Sequence, residues 1–418
     1  MSKSILILSQ VYVPDPASVG QHMHDAAAEL ARRGWNVQVV TSRAGYDDPT
    51  RKYEPREERD GVHIRRLPFS SFGKKNILLR ILGTASFALQ AIFAGLFTRN
   101  VHAILFSTSP PLIGAAVTIV RMFRRVPTVY WAMDLNPDQL IALGKIKEGD
   151  LITRLLESIN KTILHNSTRV IALDRFMAAR LEARAPVADR MSIIPPWPHE
   201  KADAPLSHDE NHWRKKHELD GKFVIMYSGN HSPSNPLDTL LEATRAFKDD
   251  DRIRFLFVGG GLGKKDVEAF IKKHGAKNVI SLPYQPIETL RYSLSAGDVH
   301  VVSLGDDMVG IIHPCKVYGS MAVGRPVLFF GPRPSHVSDL LDNHDFGKHV
   351  SHGDVDAAVN AIRNLADASE QRLADMGAEA QRVLRNSLSQ DILCAKMIDD
   401  VEATVSGKAA ERTEAATA

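Results

Sequence analysis

Residues 310–328, GIIHPCKVYGSMAVGRPVL, gather residue types suited to holding an anion. Pro314 fits the first turn of a helix, and Cys315, Lys316 and Val317 then carry the free amides that a helix start aims at negative charge. Lys316 adds a full positive charge, and His313 stands immediately before. A lysine at a helix start opposes the helix dipole, so a facing anion or carboxylate is expected there; the plain alternative is a solvated surface lysine. Cys315 has no paired base in the sequence and reads as a small buried residue. A strand-like run at 299–304 ends in Gly305-Asp306-Asp307, and 326–330 reads as the next buried strand. The unit is strand, loop, helix, strand, and its loop has room for a diphosphate.

Other chemistry-bearing residues are less specific. Pro14, Pro16 and Gly20 make a loop between a first strand and a first helix, whose start again offers amides to an anion. His22 and His24 follow and read as surface or interhelical residues. Asp134 closes a strand and so belongs at the crevice end of an open α/β sheet; it reads equally as an N-cap for the segment from Pro137. Gly259-Gly260-Gly261 lacks the spacing of a dinucleotide fingerprint. Asp249-Asp250-Asp251 formally matches a metal-binding Asp-x-Asp but reads as a solvated loop. The two cysteines, Cys315 and Cys394, have no metal-ligand spacing and suit a reducing cytoplasm.

The elements that must position these groups alternate. The chain has 418 residues, 44% apolar and 24% charged, enough for two soluble domains. Strands are expected at 5–8, 37–40, 62–66, 103–106, 128–131 and 169–172, with helices at 20–33, 111–123, 150–165 and 175–184. A proline cluster (Pro195, Pro196, Pro198, Pro205) breaks the pattern, and a second series of strands follows at 223–227, 255–258, 279–282, 299–303 and 327–330. The predicted fold class is therefore α/β, with two doubly wound Rossmann-like domains: 1–195, a linker 196–221, and 222–385. Helices are expected at 371–385 and at 389–404, the segment 386–405 crossing back to the first half; 406–418 reads as a disordered tail.

Charge is uneven. Residues 1–200 hold 26 Lys+Arg against 18 Asp+Glu, whereas the remainder holds 26 against 31. A basic first half suits an anionic membrane or a phosphorylated substrate, and the absence of interleaved aromatics argues against nucleic acid. Residues 77–97, ILLRILGTASFALQAIFAGLF, have three readings: a buried helix, an in-plane interfacial helix flanked by Lys74, Lys75 and Arg99, or a membrane span. The flanking charges favour the interface. A span would separate strands of one sheet across the bilayer.

Four strings in order, SQVYVPDPASVGQHMHDAAAELARRGWNVQVVTS, VYWAMDLNPDQLIALG, YSGNHSPSNPLDTLLEA and HPCKVYGSMAVGRPVL, resemble the GT-B glycosyltransferases of family 4, especially the bacterial exopolysaccharide, O-antigen and colanic-acid branch. The resemblance covers about residues 4–400. It implies two domains facing a cleft, and sugar transfer from a nucleoside diphosphate sugar, a UDP-sugar by expectation. It also implies retention of configuration and no metal or other cofactor. The expected acceptor is a polyprenyl-linked or other saccharide at the inner face of the cell membrane.

Carried over residue by residue, it makes Lys316 and Asp134 the candidate catalytic groups. Gly20, Gly229, Asn230, His231, Tyr284, His313, Pro314, Cys315 and Lys316 become candidate donor-binding residues, with Tyr284 either stacking on the base or lining the core. The chain also departs from the family pattern. Asn230 and Asn235 replace an expected arginine and lysine, and Ile311 and Gly319 replace a pair of glutamates. These departures leave two alternatives beside a transferase: an inactive partner subunit, or an epimerase or hydrolase of nucleotide sugars.

Overall fold

The computed structural model describes residues 3–15, 17–45, 48–70, 77–111, 113–199 and 206–407. Pro16, Lys74, Lys75, Pro205 and residues 408–418 of the expected tail lie outside these. The described chain divides into two units, 3–196 with 310–312 and 391–407, and 197–309 with 313–390.

The first unit is an eight-stranded sheet. Its strands are β1 (Ser4–Leu8), β2 (Asn36–Ser42), β3 (Arg56–Arg59), β4 (Val62–Leu67), β5 (Ala103–Ser107), β6 (Thr128–Trp131), β7 (Arg169–Ala172) and β8 (Met191–Ile193), in the spatial order β3-β4-β2-β1-β5-β6-β7-β8. Every pair is parallel except β3 with β4. β1 and β5 are buried along their whole length, as strands covered by helices on both faces must be. β3 has no apolar alternation. Its REER sequence forms a charged edge that discourages pairing with another chain.

The main helices of this unit are α1 (Ser18–Arg32), α2 (Ile77–Phe97), α3 (Ile113–Arg124), α4 (Leu151–Asn166) and α5 (Arg175–Arg184). The faces of α2 bear on the buried reading of residues 77–97. Phe87, Ala91 and Ala94 are buried, whereas Leu79, Ile81, Leu82, Leu89, Phe93 and Phe97 are exposed. A wholly buried helix is thereby corrected to one with an apolar outer face, and no helix among the described residues is long and apolar enough to cross a membrane.

The second unit is a six-stranded, all-parallel sheet of β9 (Phe223–Ser228), β10 (Ile253–Val258), β11 (Val279–Leu282), β12 (Val299–Ser303), β13 (Val327–Phe330) and β14 (Gly347–Val350), ordered β11-β10-β9-β12-β13-β14. Alternation along β9 sorts its side chains: Ile225 and Tyr227 enter one core with Phe255 and Phe257, while Val224 and Met226 enter the other with Leu256 and Trp213. Its main helices are α6 (Asp238–Thr244), α7 (Lys264–His274), α8 (Lys316–Ala322), α9 (His336–Asn343), α10 (Val355–Ala366) and α11 (Glu370–Val383).

After a π-helical turn at Leu384–Leu388, the last helix, α12 (Gln390–Val405), joins the first unit. Asp400 there accepts from Arg169 Nε at 2.9 Å and from Ser192 Oγ at 2.8 Å, all three residues being buried. Trp35 Nε1 donates to Glu402 at 2.9 Å. A buried, hydrogen-bonded ion pair fixes the register of α12, because either charge left alone in the core is costly.

Candidate functional site

In doubly wound sheets ligands bind where the strand order reverses, beyond the carboxyl ends of the strands. In the second unit that point lies between β9 and β12, which pair in parallel at Ile225–Val299 and Met226–His300. The loop after β9 carries Gly229, Asn230, His231 and Asn235, and the loop after β12 leads to His313–Lys316. Chain topology thus brings together two strings some 80 residues apart.

Lys316 joins them. Its ammonium lies 3.5 Å from Asn235 Oδ1 and 5.2 Å from the centre of the Tyr227 ring. Its stem crosses Gly229: a Cβ there would sit 2.7 Å from Lys316 Cε, and the φ of +129° is one that L side chains rarely adopt. Burial lowers the Lys316 pKa to about 8, with no carboxylate acting on it. Asn235 is buried and its amide is oriented, since Nδ2 donates to the Ser303 carbonyl at 2.6 Å and leaves Oδ1 for the lysine. A half-buried ammonium facing a ring and a neutral amide has the charge and the spare donors to pair with an anion.

Three expectations for this segment change. The helix begins at Lys316, after Pro314, so Pro314 does not occupy its first turn. The Cys315 amide donates to the His313 carbonyl and the Val317 amide to the Pro314 carbonyl, so these two do not point outward as free anion donors. Cys315 is exposed and not a buried filler. His313 is buried, with Nε2 2.7 Å from Tyr318 Oη, which lies 3.0 Å from His336 Nε2.

Asn230 is exposed, with its Oδ1 close to Gly261. His231 turns inward against Tyr227 and Phe257, and burial lowers its pKa, so it acts as a neutral ring that shapes the loop and is not a cation for phosphate. Its amide donates to Gly260 at 2.7 Å. Tyr284 is 60% exposed, with its ring against Gly260, which removes it from the core. Ile311 is buried, which suits an apolar residue where the resemblance expects glutamate.

Sequence reasoning missed three supporting residues: Tyr227, Asn235 as the amide that faces Lys316, and Lys264. Lys264 Nζ donates to the carbonyls of Gly259 and Leu282 at 2.9 and 2.5 Å, tying the ends of β10 and β11 together. The signal for Lys264 was the one used for Lys316, a lysine at a helix start.

In the first unit the reversal falls between β1 and β5. Gly20 on α1 permits close approach, since a Cβ would lie 3.0 Å from the Tyr12 backbone. His22 is buried, with Nδ1 2.8 Å from the Ser18 carbonyl one turn back on the same helix, and His24 bridges Tyr12 Oη and Asp60, so the contacts of His22 are not those of a surface residue and neither histidine joins two helices here. Asp134 opens on a recess of about 360 Å³ shared with Thr108, Tyr130, Asn136, Asn160 and Arg184. Its amide donates to Thr108 Oγ1 at 3.2 Å. Its edge meets solvent, yet the protein massed around it excludes enough water to raise its pKa to about 6. The N-cap alternative is corrected: the short helix Asp138–Ala142 has Pro137 at its N-cap and no side-chain cap bond. Asp250 bonds Arg252, and Asp251 pairs with Arg254, in keeping with a solvated loop.

The two halves match two family models, the glycosyl transferase 4-like domain over residues 18–197 and the glycosyl transferases group 1 over residues 209–383. Along 413 residues, 95% of this chain and 99% of the relative, the sequence is 25% identical to a protein of Escherichia coli (strain K12) assigned to colanic acid biosynthesis as the glycosyl transferase WcaI. Among solved structures, the sucrose-phosphate synthase of Thermosynechococcus elongatus superposes with a TM-score of 0.77 at 17% identity, over 97% of this chain and 100% of the other. HepE of Anabaena, solved in complex with UDP-glucose, gives 0.69 at 14% identity, over 96% and 99%.

Proposed function

Because the chain belongs to the GT-B glycosyltransferases of family 4, in the branch that builds bacterial surface polysaccharides, we propose that it moves a sugar from a UDP-sugar to a lipid-linked saccharide. Configuration is retained and no metal is used. The observation that carries this reading is the Lys316 ammonium held between Asn235 and the Tyr227 ring at the strand reversal of the second unit. The UDP-glucose in the HepE complex supports the choice of nucleotide.

In this reaction the bond from the anomeric carbon to the diphosphate oxygen breaks, and a bond from that carbon to an acceptor hydroxyl oxygen forms on the same face. The hydroxyl proton passes to the departing diphosphate. Charge therefore grows on the diphosphate in the transition state, where a fixed, poorly hydrated ammonium stabilises it most. Lys316 supplies that charge, Asn235 and Gly229 place it, and the exposed Tyr284 stacks on the base. Asp134, with its raised pKa, accepts hydrogen bonds from sugar or acceptor hydroxyls.

The acceptor's lipid brings the enzyme to the cytoplasmic face of an anionic membrane, through the apolar outer face of α2 and the exposed Leu151, Ile152 and Leu155 at the start of α4. Incubation with a panel of UDP- and GDP-sugars, with and without lipid-linked acceptor, tests the proposal by thermal protection and product analysis. Protection by UDP-sugars and acceptor-dependent release of UDP are expected. Protection by GDP-sugars alone, or release that ignores the acceptor, contradicts it.

A further inference from the structure

At the end of the first sheet where β6 and β7 begin, Arg121, Met122, Arg125, Pro127, Asn166 and Thr168 line an open recess of about 700 Å³ whose walls contain no carboxylate. Arg121 is half-buried, and among the described residues its guanidinium donates to the Thr128 hydroxyl, at 3.3 Å. Burial and the neighbouring Arg190, which itself pairs with Asp189 at 3.5 Å, both lower its pKa, so like charges crowd here. Arg190 Nε is itself buried and without a hydrogen-bond partner.

The recess opens beside an apolar surface. Arg124 Nη1 donates to the Gly95 carbonyl at 2.7 Å, tying the end of α3 to the end of α2, and Gly95 lets the helices close to Val120. Around this junction Phe93 is 55% exposed, Phe97 77%, Met122 69% and Phe123 74%. Clustered exposed aromatics next to unbalanced cations do not stabilise a surface facing water, but they match the interface of an anionic bilayer.

We infer that the recess seats the phosphate of an anionic phospholipid headgroup, while Phe93, Phe97, Met122 and Phe123 enter the adjoining interfacial layer. This rests on the membrane contact proposed above and adds a lipid site separate from that of the acceptor. A free phosphate leaves the aromatics unexplained. A second copy of the chain packed face to face brings arginine against arginine.

Vesicle flotation tests it, with phosphatidylcholine alone and with phosphatidylcholine mixed with phosphatidylglycerol. Wild type is expected to float with the mixed vesicles and far less with the neutral ones. Arg121→Gln with Arg125→Gln should lower partitioning to the mixed vesicles by about 10–30-fold, at ~1 kcal/mol for each surface cation. It should leave UDP-induced thermal protection unchanged, which shows that the fold and donor site survive. Phe97→Ser with Phe123→Ser should reduce binding to both kinds of vesicle. Arginine variants that float like wild type overturn the headgroup site while leaving the membrane contact standing; wild type that floats with neither vesicle overturns both. Thermal protection by inorganic phosphate that the arginine variants abolish, with no flotation, or wild-type self-association that they abolish without any flotation, also overturns the proposal.

Discussion

Lys316 Nζ lies 3.5 Å from Asn235 Oδ1, which places a cation from the loop after β12 against an amide on the loop after β9. The resemblance expects a lysine at position 235 itself. Here the positive charge reaches the same place from the neighbouring strand, and the amide oxygen receives it.

Removing that charge should act on turnover and not on folding. Lys316→Ala is expected to lower kcat/KM by about 10²–10³-fold, the usual cost of losing one fixed electrostatic donor to a developing anion. Steady-state kinetics with the preferred UDP-sugar, alongside circular dichroism, checks this. Undiminished kcat/KM removes Lys316 from the site.

The pH dependence follows from the same burial. With its folded pKa at about 8, below the unfolded lysine value, Lys316 loses its proton in the native state first, and donor binding should weaken as pH rises through 8. For stability the sign is opposite. Between about pH 8 and 10.4 the unfolded chain binds more protons, so this group's contribution grows with pH. UDP-induced thermal shifts across pH 7–9.5, compared with Lys316→Arg, which stays charged, separate the two effects.

Asp134 tests the other unit. Its raised folded pKa of about 6 means that the native state holds more protons than the unfolded chain between about pH 4 and 6, so stability falls as pH rises through that window. Asp134→Asn should flatten that slope, melting higher than wild type at pH 7 and equally at pH 4, while lowering transfer. Parallel melting curves at both pH values, with no gain at pH 7, would contradict the raised pKa.

Gly229→Ala should damage the donor site through geometry alone. The new Cβ meets the Lys316 stem at 2.7 Å, at a φ of +129°, and relief requires the ammonium or the loop to move. About 1–3 kcal/mol of strain is expected, read as UDP affinity at least about tenfold weaker by calorimetry. Wild-type affinity would show that the loop does not position the lysine.

Asp400→Ala should cost about 3–5 kcal/mol by stranding Arg169 in the core, and replacing both with apolar residues should recover most of the loss. Urea unfolding of the single and double variants measures this. Equal losses in both would assign the effect to Ser192 or to packing.

The buried parallel strands were legible because each is a short run dominated by apolar residues: 128–131, 169–172, 279–282, 299–303 and 327–330 match β6, β7, β11, β12 and β13 end to end. β3 and β14 were not legible, since REER and GKHV have no apolar period and become strands only by pairing with β4 and β13. Lys316 and Asp134 were legible as a charged residue at a helix start and a carboxylate at a strand end. Cys315 was misread because composition cannot tell an exposed small residue from a buried one, and the amides around it because a non-helical turn closes on its own carbonyls.

By itself the sequence determined the α/β alternation and the placing of charged side chains at helix starts and strand ends, because these are encoded in local periodicity and in side-chain chemistry. Only the tertiary structure decided which of those residues meet. The order β9 next to β12 sets Lys316 against Asn235 across 81 positions of chain, and the packing of His231 on Tyr227 of β9 and Phe257 of β10 buries it away from solvent. Strand order and burial depend on the long-range pairing that closes the sheet, which no local stretch of residues carries.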